Sequence, residues 1–223
     1  MQSQGEFHRV SLLDDHVLRA VGDVDGLVVV DVGCGEGRFA RMLAERGAIT
    51  IGVDPTAALI EQAKLLDPDG EYHLAFADQI PVESDSADLV IFYLVIIDIE
   101  HLQPALVEAA RVLKPGGRVV VANIVPFRDS ELFWERDSKG KKLFWKVHGY
   151  GHERGMLCQW GGMKIINYHR MLGTIFRGFL SAGFQLVDYT EILPTAEQLK
   201  THRQLSDEFI APNFDLAIWK KPD

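Results

Sequence analysis

Two cysteines, Cys34 and Cys158, among 223 residues are too few for a disulfide framework. No apolar run reaches the ~18 residues that cross a bilayer; the longest, over residues 89–99, is closed off by Asp98. The opening Met-Gln-Ser-Gln-Gly-Glu-Phe-His-Arg lacks a basic start followed by an apolar signal core. These absences predict a cytoplasmic protein with no membrane partner. Positive charge is also in short supply. Lysine and arginine number 23 against 32 acids, a net charge of −9, which argues against a phosphate backbone as partner. The one basic run, from Arg136 through Lys139, Lys141 and Lys142 to Lys146, reads as a solvated hairpin tip, so no nucleic acid is expected. Repeats and low-complexity tracts are missing. No histidine, cysteine or acid stands at an established ligand spacing, so no metal is expected either.

What is present is ordinary globular composition, 47% hydrophobic and 25% charged. The length suits one core, since single domains run to about 250 residues. A lead-in helix is predicted over 10–21, where Val10, Leu13, Val17, Leu18 and Val21 keep helical spacing. Strands at 27–32, 48–53, 71–76, 87–93 and 117–124 then alternate with helices near 37–46, 56–66 and 103–113. That rhythm predicts parallel strands with right-handed crossovers. A further helix is expected over 171–182, and 184–191 with 214–220 reads as a closing antiparallel pair.

The most specific stretch is Val28-Val-Val-Asp31-Val-Gly33-Cys34-Gly35-Glu-Gly37. A short β-branched strand ends beside an acid, and three glycines follow at every second position. Glycines there let the backbone turn sharply and approach a ligand that a Cβ would obstruct. A dinucleotide fingerprint has the spacing Gly-x-Gly-x-x-Gly and sets phosphates on a helix N-terminus. Here the spacing differs, and Asp31 would repel a diphosphate. An acid in that place suits a ligand with a positively charged amino group. This speaks against a Rossmann NAD(P)-dependent oxidoreductase.

The stretch resembles the first motif of the class I S-adenosylmethionine-dependent methyltransferases. Three further segments follow in that family's order: Thr50-Ile-Gly-Val-Asp54, Ala75-Phe-Ala-Asp78-Gln79-Ile80-Pro81, and Arg111-Val-Leu-Lys-Pro-Gly-Gly117. The resemblance covers roughly residues 27–125 and points toward the small-molecule group that includes ubiquinone and menaquinone methyltransferases. It implies a Rossmann-like three-layer α/β sandwich with a seven-stranded, mostly parallel sheet and an antiparallel last strand inserted beside the fifth. One domain over 1–223 is expected: a cofactor-binding half at 27–125, a lid or substrate insertion at 126–170, and a closing helix with antiparallel strands at 171–223. The implied cofactor is S-adenosyl-L-methionine and the implied product S-adenosyl-L-homocysteine.

By that resemblance, Asp31 lies near the methionine amino group, directly or through water. Gly33, Cys34 and Gly35 line the methionine and ribose portions. Asp54 accepts from both ribose hydroxyls, with Pro55 following, although an Asp before Pro also suits a plain helix cap. Asp78 meets the adenine amino group with Gln79 and Ile80 nearby, or is simply a turn residue. Tyr93 ends the fourth strand and joins the cluster, because ligands of parallel α/β sheets sit beyond the strands' carboxyl ends.

The acceptor is harder to read. Phe92-Tyr93-Leu94-Val95 lacks the Asn/Asp-Pro-Pro-Tyr pattern of adenine, cytosine or glutamine methyltransferases, which points to a small-molecule substrate. Residues 126–168 are rich in aromatics: Phe133, Trp134, Phe144, Trp145, Tyr150, Trp160 and Tyr168. An excursion this long in a compact domain usually covers something. A β-hairpin is expected around Asp137-Ser-Lys-Gly140. Asn167-Tyr168-His169-Arg170 resembles a segment in a bacterial branch of small-molecule methyltransferases. His169 suits a general base at neutral pH, or it anchors the lid with Arg170. Trp134, Tyr150, Tyr168 and Arg170 are candidate substrate contacts. A methyl acceptor on oxygen, nitrogen or carbon, a non-catalytic cofactor-binding sensor or scaffold, and a homodimer all remain compatible with these residues.

Overall fold

The computed structural model describes residues 7–128, 131–160 and 163–223; the side chains of residues 131–133, 160 and 163, among them Phe133 and Trp160, lie outside the description. Five strands carry the parallel part of the sheet: β1 (Val28–Val32), β2 (Ile49–Asp54), β3 (Glu71–Leu74), β4 (Ala87–Tyr93) and β5 (Leu113–Ile124). Two more, β10 (Gln185–Glu191) and β11 (Phe214–Lys220), complete a seven-stranded sheet in the order β10-β11-β5-β4-β1-β2-β3. Only β11 runs antiparallel to both its neighbours, β5 and β10. This is the expected architecture, with the last strand inserted beside the fifth.

The central strands are apolar on both faces because helices cover both. Val30 and Val32 of β1, with Val90 and Phe92 of β4, pack toward α4 (Leu102–Val112) and α5 (Leu172–Ser181). Val29, Leu89, Ile91 and Tyr93 face the other way, toward α1 (Asp14–Val21) and α2 (Arg38–Ala44). Strand alternation therefore sends Asp31 to the α1–α2 side. The helix α3 (Ala57–Leu66) follows β2. From β1 the chain steps to β2 on one side, while β4 pairs on the other. That reversal opens a crevice beyond the carboxyl ends of β1 and β4.

Two antiparallel ribbons stand apart from the sheet. The first joins β6 (Glu131–Arg136) to β7 (Lys142–His148), and the second joins β8 (Arg154–Trp160) to β9 (Met163–His169). The first is the expected hairpin, its tip closed by the Asp137 carboxylate, which accepts from the N–H groups of Lys139 and Lys141. The second was not anticipated from the sequence, nor was the short α6 (Ala196–Thr201). The lead-in helix is also split. Residues Arg9–Leu13 form a π-helical turn that runs into α1. No described helix is long and apolar enough to cross a membrane.

Candidate active site

The glycine turn after β1 is built by two demands. Gly33, Gly35 and Gly37 all have positive φ, at +72°, +58° and +78°. At Gly33 a Cβ would lie 2.2 Å from Val95 Cγ2, so the turn following β4 packs directly on the glycine loop. At Gly35 a Cβ would meet nothing within 4 Å. That glycine borders open space. The N–H groups of Gly33 and Cys34 both donate to the Val53 carbonyl, at 2.7 and 3.1 Å, which ties the loop to the end of β2. Cys34 is buried, and burial pushes its thiol far above the usual range. It fills space and stays protonated.

Asp54 closes the second side. Its Oδ2 accepts from the Gly35 N–H at 3.0 Å and its Oδ1 from the Thr56 N–H at 2.8 Å. The capping role and a ligand role are compatible, because a carboxylate has about four lone-pair sites and these bonds use two. Pro55 follows in the bend that leads into α3. Asp31 sits across the loop, 2% exposed, and its Oδ2 is buried with no hydrogen-bond partner among the described residues. Burial first, then the nearby Asp54 charge, pushes its pKa up to about 7, while Arg38, Arg9 and the Ala40 N–H act against the rise. An orphaned buried carboxylate oxygen is costly. A cationic amino group would relieve it.

On the third side, Asp78 and Gln79 are exposed in the turn after β3, while Ile80 is buried. The Ile80 N–H is taken by Glu108 Oε1 at 2.9 Å. Arg111 donates to the Ile80 and Val82 carbonyls and to Glu108, so this pair on α4 pins the loop. Neither residue had been singled out for a role in the sequence. Tyr93, at the end of β4, is buried on the α1–α2 side of the sheet. Its hydroxyl donates to Asp14 Oδ1 at 2.8 Å, and Arg38 grips both Asp14 oxygens at 2.8 and 2.9 Å. This knot clamps α1, α2 and β4 together. Asp14 lay in a predicted helix with nothing to mark it.

Of the acceptor-side candidates, Tyr150, Tyr168, His169 and Arg170 gather at one place and Trp134 does not. Arg170 is buried, and its guanidinium donates to the carbonyls of Ile96, Ile99, Glu100 and Tyr168. Tyr168 lies under it, with the guanidinium carbon 5.5 Å from the ring centroid. His169 is 1% exposed, and its Nε2 lies 2.7 Å from the Tyr150 carbonyl, a contact that needs the proton on Nε2. The Tyr150 hydroxyl accepts from the Leu172 N–H and Glu153 from the Met171 N–H, so both serve the start of α5. Trp134 belongs to the other ribbon. It meets Trp145 edge-on at 5.1 Å, with the Lys142 ammonium 4.7 Å from its ring and Phe127 beyond Trp145. No described group of three or more His, Cys, Asp or Glu residues is placed to hold a metal ion.

Residues 30–121 match the family model of a methyltransferase domain. A solved S-adenosylmethionine-dependent methyltransferase from Mesorhizobium loti superposes with a TM-score of 0.85 at 26% identity, over 93% of this chain and 96% of that one. A structure from Listeria monocytogenes described as a methyltransferase of the same kind gives 0.82, also at 26% identity, over 94% and 96%. The domain match over residues 30–121 and the near full-length likeness of fold together support a class I S-adenosylmethionine-dependent methyltransferase. The cofactor of this methyltransferase is S-adenosyl-L-methionine, and the donor set fits it: an orphaned carboxylate for an amino group, open backbone at Gly35, and lone pairs to spare on Asp54. Among curated relatives, a ubiquinone biosynthesis O-methyltransferase from Alkalilimnicola ehrlichii is 33% identical over 53% of this chain and 50% of its own length. The chain spans about half or less of the curated relatives it matches at 30% identity or above.

Proposed function

We propose that this methyltransferase transfers a methyl group from S-adenosylmethionine to an oxygen, nitrogen or carbon of a small molecule enclosed by the two ribbons, and releases S-adenosylhomocysteine. The observation that carries the reading is the pairing of an orphaned Asp31 with Asp54 across an open Gly35. When bound, the cofactor supplies an electrophilic methyl on its sulfonium. Asp31 receives the cofactor's ammonium, directly or through water. Gly33, Cys34 and Gly35 form the wall against which its chain lies. Asp54 accepts from both ribose hydroxyls with the lone pairs left over from Gly35 and Thr56. Asp78 accepts from the adenine amino group beside Gln79 and Ile80. Tyr93 supports the floor of the site from behind through Asp14 and Arg38.

Residues 126–170 act as the lid. Trp134, Trp145 and Phe127 offer an aromatic wall suited to a flat acceptor, and the Alkalilimnicola relative is named as a ubiquinone biosynthesis O-methyltransferase. His169, Arg170, Tyr150 and Tyr168 hold the second ribbon in position over the turn after β4. Positioning of this kind can supply much of a methyl-transfer rate, because the reaction needs in-line approach more than acid–base help. Titration calorimetry with S-adenosylmethionine tests the reading. Micromolar binding by the unaltered chain, lost on Asp54→Ala, supports it, and equal affinity in that variant overturns the ribose assignment. Turnover on a panel of phenols, amines and quinols separates an enzyme from a sensor that only binds.

A further inference from the structure

Asp98 carries no role in the sequence reading, yet several elements converge on it. It closes the 3-10 turn Ile96–Asp98 just beyond β4. That turn is seated on the cofactor loop, since Val95 fills the space a Gly33 side chain would occupy. The chain enters it through Leu94 in the left-handed region, φ +57°, a conformation costly for a leucine and common at working sites. From above, β9 crosses the turn, and Asn167 Nδ2 donates to Asp98 Oδ1 at 2.5 Å over a separation of 69 residues. On the ribbon face shared with Asn167 lie Met156, Cys158 and Ile165, all half-buried, together with Arg154 and the buried His169. Asp98 itself remains accessible to water. The carboxylate thus sits beneath a face that is apolar at Met156, Cys158 and Ile165 and polar at Arg154, Asn167 and His169.

We infer that Asp98, held by Asn167, is the carboxylate that faces the methyl-transfer position and takes the proton from a hydroxyl or N–H acceptor. This rests on the methyltransferase reading above. In the step, a lone pair on the acceptor oxygen or nitrogen forms the new bond to the methyl carbon. The bond from that carbon to sulfur breaks toward sulfur, and the acceptor's proton passes to the Asp98 carboxylate. Desolvation by the surrounding protein raises the Asp98 pKa to about 6, and the Asp54 charge adds to the rise. The Asn167 hydrogen bond and the Arg9 charge on the N-terminal segment oppose it. Glu100 is the neighbouring acid on its own loop. A carboxylate so tuned is ionised at neutral pH and still basic enough to accept a proton.

Sinefungin tests this without knowledge of the acceptor. It is an S-adenosylhomocysteine analogue that carries an amino group where the methyl sits, and that group is protonated at neutral pH. Calorimetry on the full chain should find sinefungin bound at least about tenfold more tightly than S-adenosylhomocysteine at pH 8. The preference should collapse as pH falls through about 6. Taking the ratio of the two ligands cancels Asp31, which meets the same amino-acid end in both. Asp98→Asn should abolish the preference while S-adenosylhomocysteine still binds, which also shows that the variant folds. Asn167→Ala should move the inflection to higher pH, because the carboxylate loses a donor. A preference that persists in Asp98→Asn, or a ratio independent of pH in the unaltered chain, overturns the assignment. Failure of the unaltered chain to bind S-adenosylhomocysteine at all would instead overturn the cofactor reading beneath it.

Discussion

The sheet that carries the candidate cofactor loop, the floor, and the two ribbons proposed as its roof are stabilised by different physics. The floor comprises strands β1, β2, β4 and β5, whose Val29, Val30, Val90, Ile91, Val120 and Val121 are all but fully buried. Backbone ladders and side-chain packing together hold such strands in register, and the loops at their ends inherit that rigidity. The roof comprises two-stranded ribbons with Leu143, Phe144, Leu157 and Ile166 between 45% and 71% exposed. A lone two-stranded ribbon is marginal in water. Here the second ribbon is tied down by individual polar bonds: Asn167 to Asp98, His169 to the Tyr150 carbonyl, and Arg170 to a row of carbonyls. The contrast teaches that cofactor affinity and roof order should be separable by mutation.

The largest effect expected from breaking that separation is at Asp54. Asp54→Ala removes charge-assisted bonds worth about 1.5–3 kcal/mol each, so cofactor affinity should fall at least about 100-fold by calorimetry. Gly33 and Gly35 sharpen the comparison within the floor. Gly33→Ala drives a Cβ into Val95 and should cost about 3 kcal/mol of unfolding free energy in urea titrations. Gly35→Ala meets no neighbour and should cost only about 1–2 kcal/mol of backbone strain, while weakening S-adenosylhomocysteine disproportionately. Equal effects at the two positions would show that Gly35 does not border the ligand.

On the roof, Tyr150→Phe removes the acceptor for the Leu172 N–H and should cost about 1 kcal/mol. Its mark should be faster amide exchange confined to residues around the start of α5 and the second ribbon, with cofactor affinity unchanged. Faster exchange spread over the central sheet as well would mean the roof and floor unfold as one. A separate handle on the floor is the pH response of the ligand-free chain. Asp31 has a folded pKa near 7, above that of an unfolded carboxylate, so folding takes up a proton. Its stabilising contribution is complete below pH ~4 and is lost as pH rises through about 7. Melting temperatures should therefore drift down between pH 5 and pH 8, and Asp31→Asn should flatten the drift.

Much of the floor was legible without coordinates because its signals are local. Alternation and β-branching mark β4 at 87–93 and β11 at 214–220 to the residue. Acids at the carboxyl ends of buried strands mark Asp31 and Asp54, and the glycine spacing marks the turn after the first. Other boundaries moved by a few residues, as with β3, which stops at Leu74 because the chain turns there toward Asp78. The second ribbon escaped notice because its strands have no polar alternation to set them apart from a loop rich in glycine and aromatics. His169 drew attention as a base from its type and neighbours, yet its Nε2 faces a carbonyl that only the fold brings close.

By itself, then, the chain's order of residues determined the sheet, the glycine turn and the class of ligand, since each rests on periodicity or on side chains a few positions apart. Tertiary structure alone decided which distant polar groups meet. Asp14 finds Arg38 and Tyr93, Glu108 finds Ile80, and Asp98 finds Asn167 across 24 to 79 positions. Such pairs leave no periodic trace, because a hydrogen bond fixes two atoms in space and places no constraint on the residues between them.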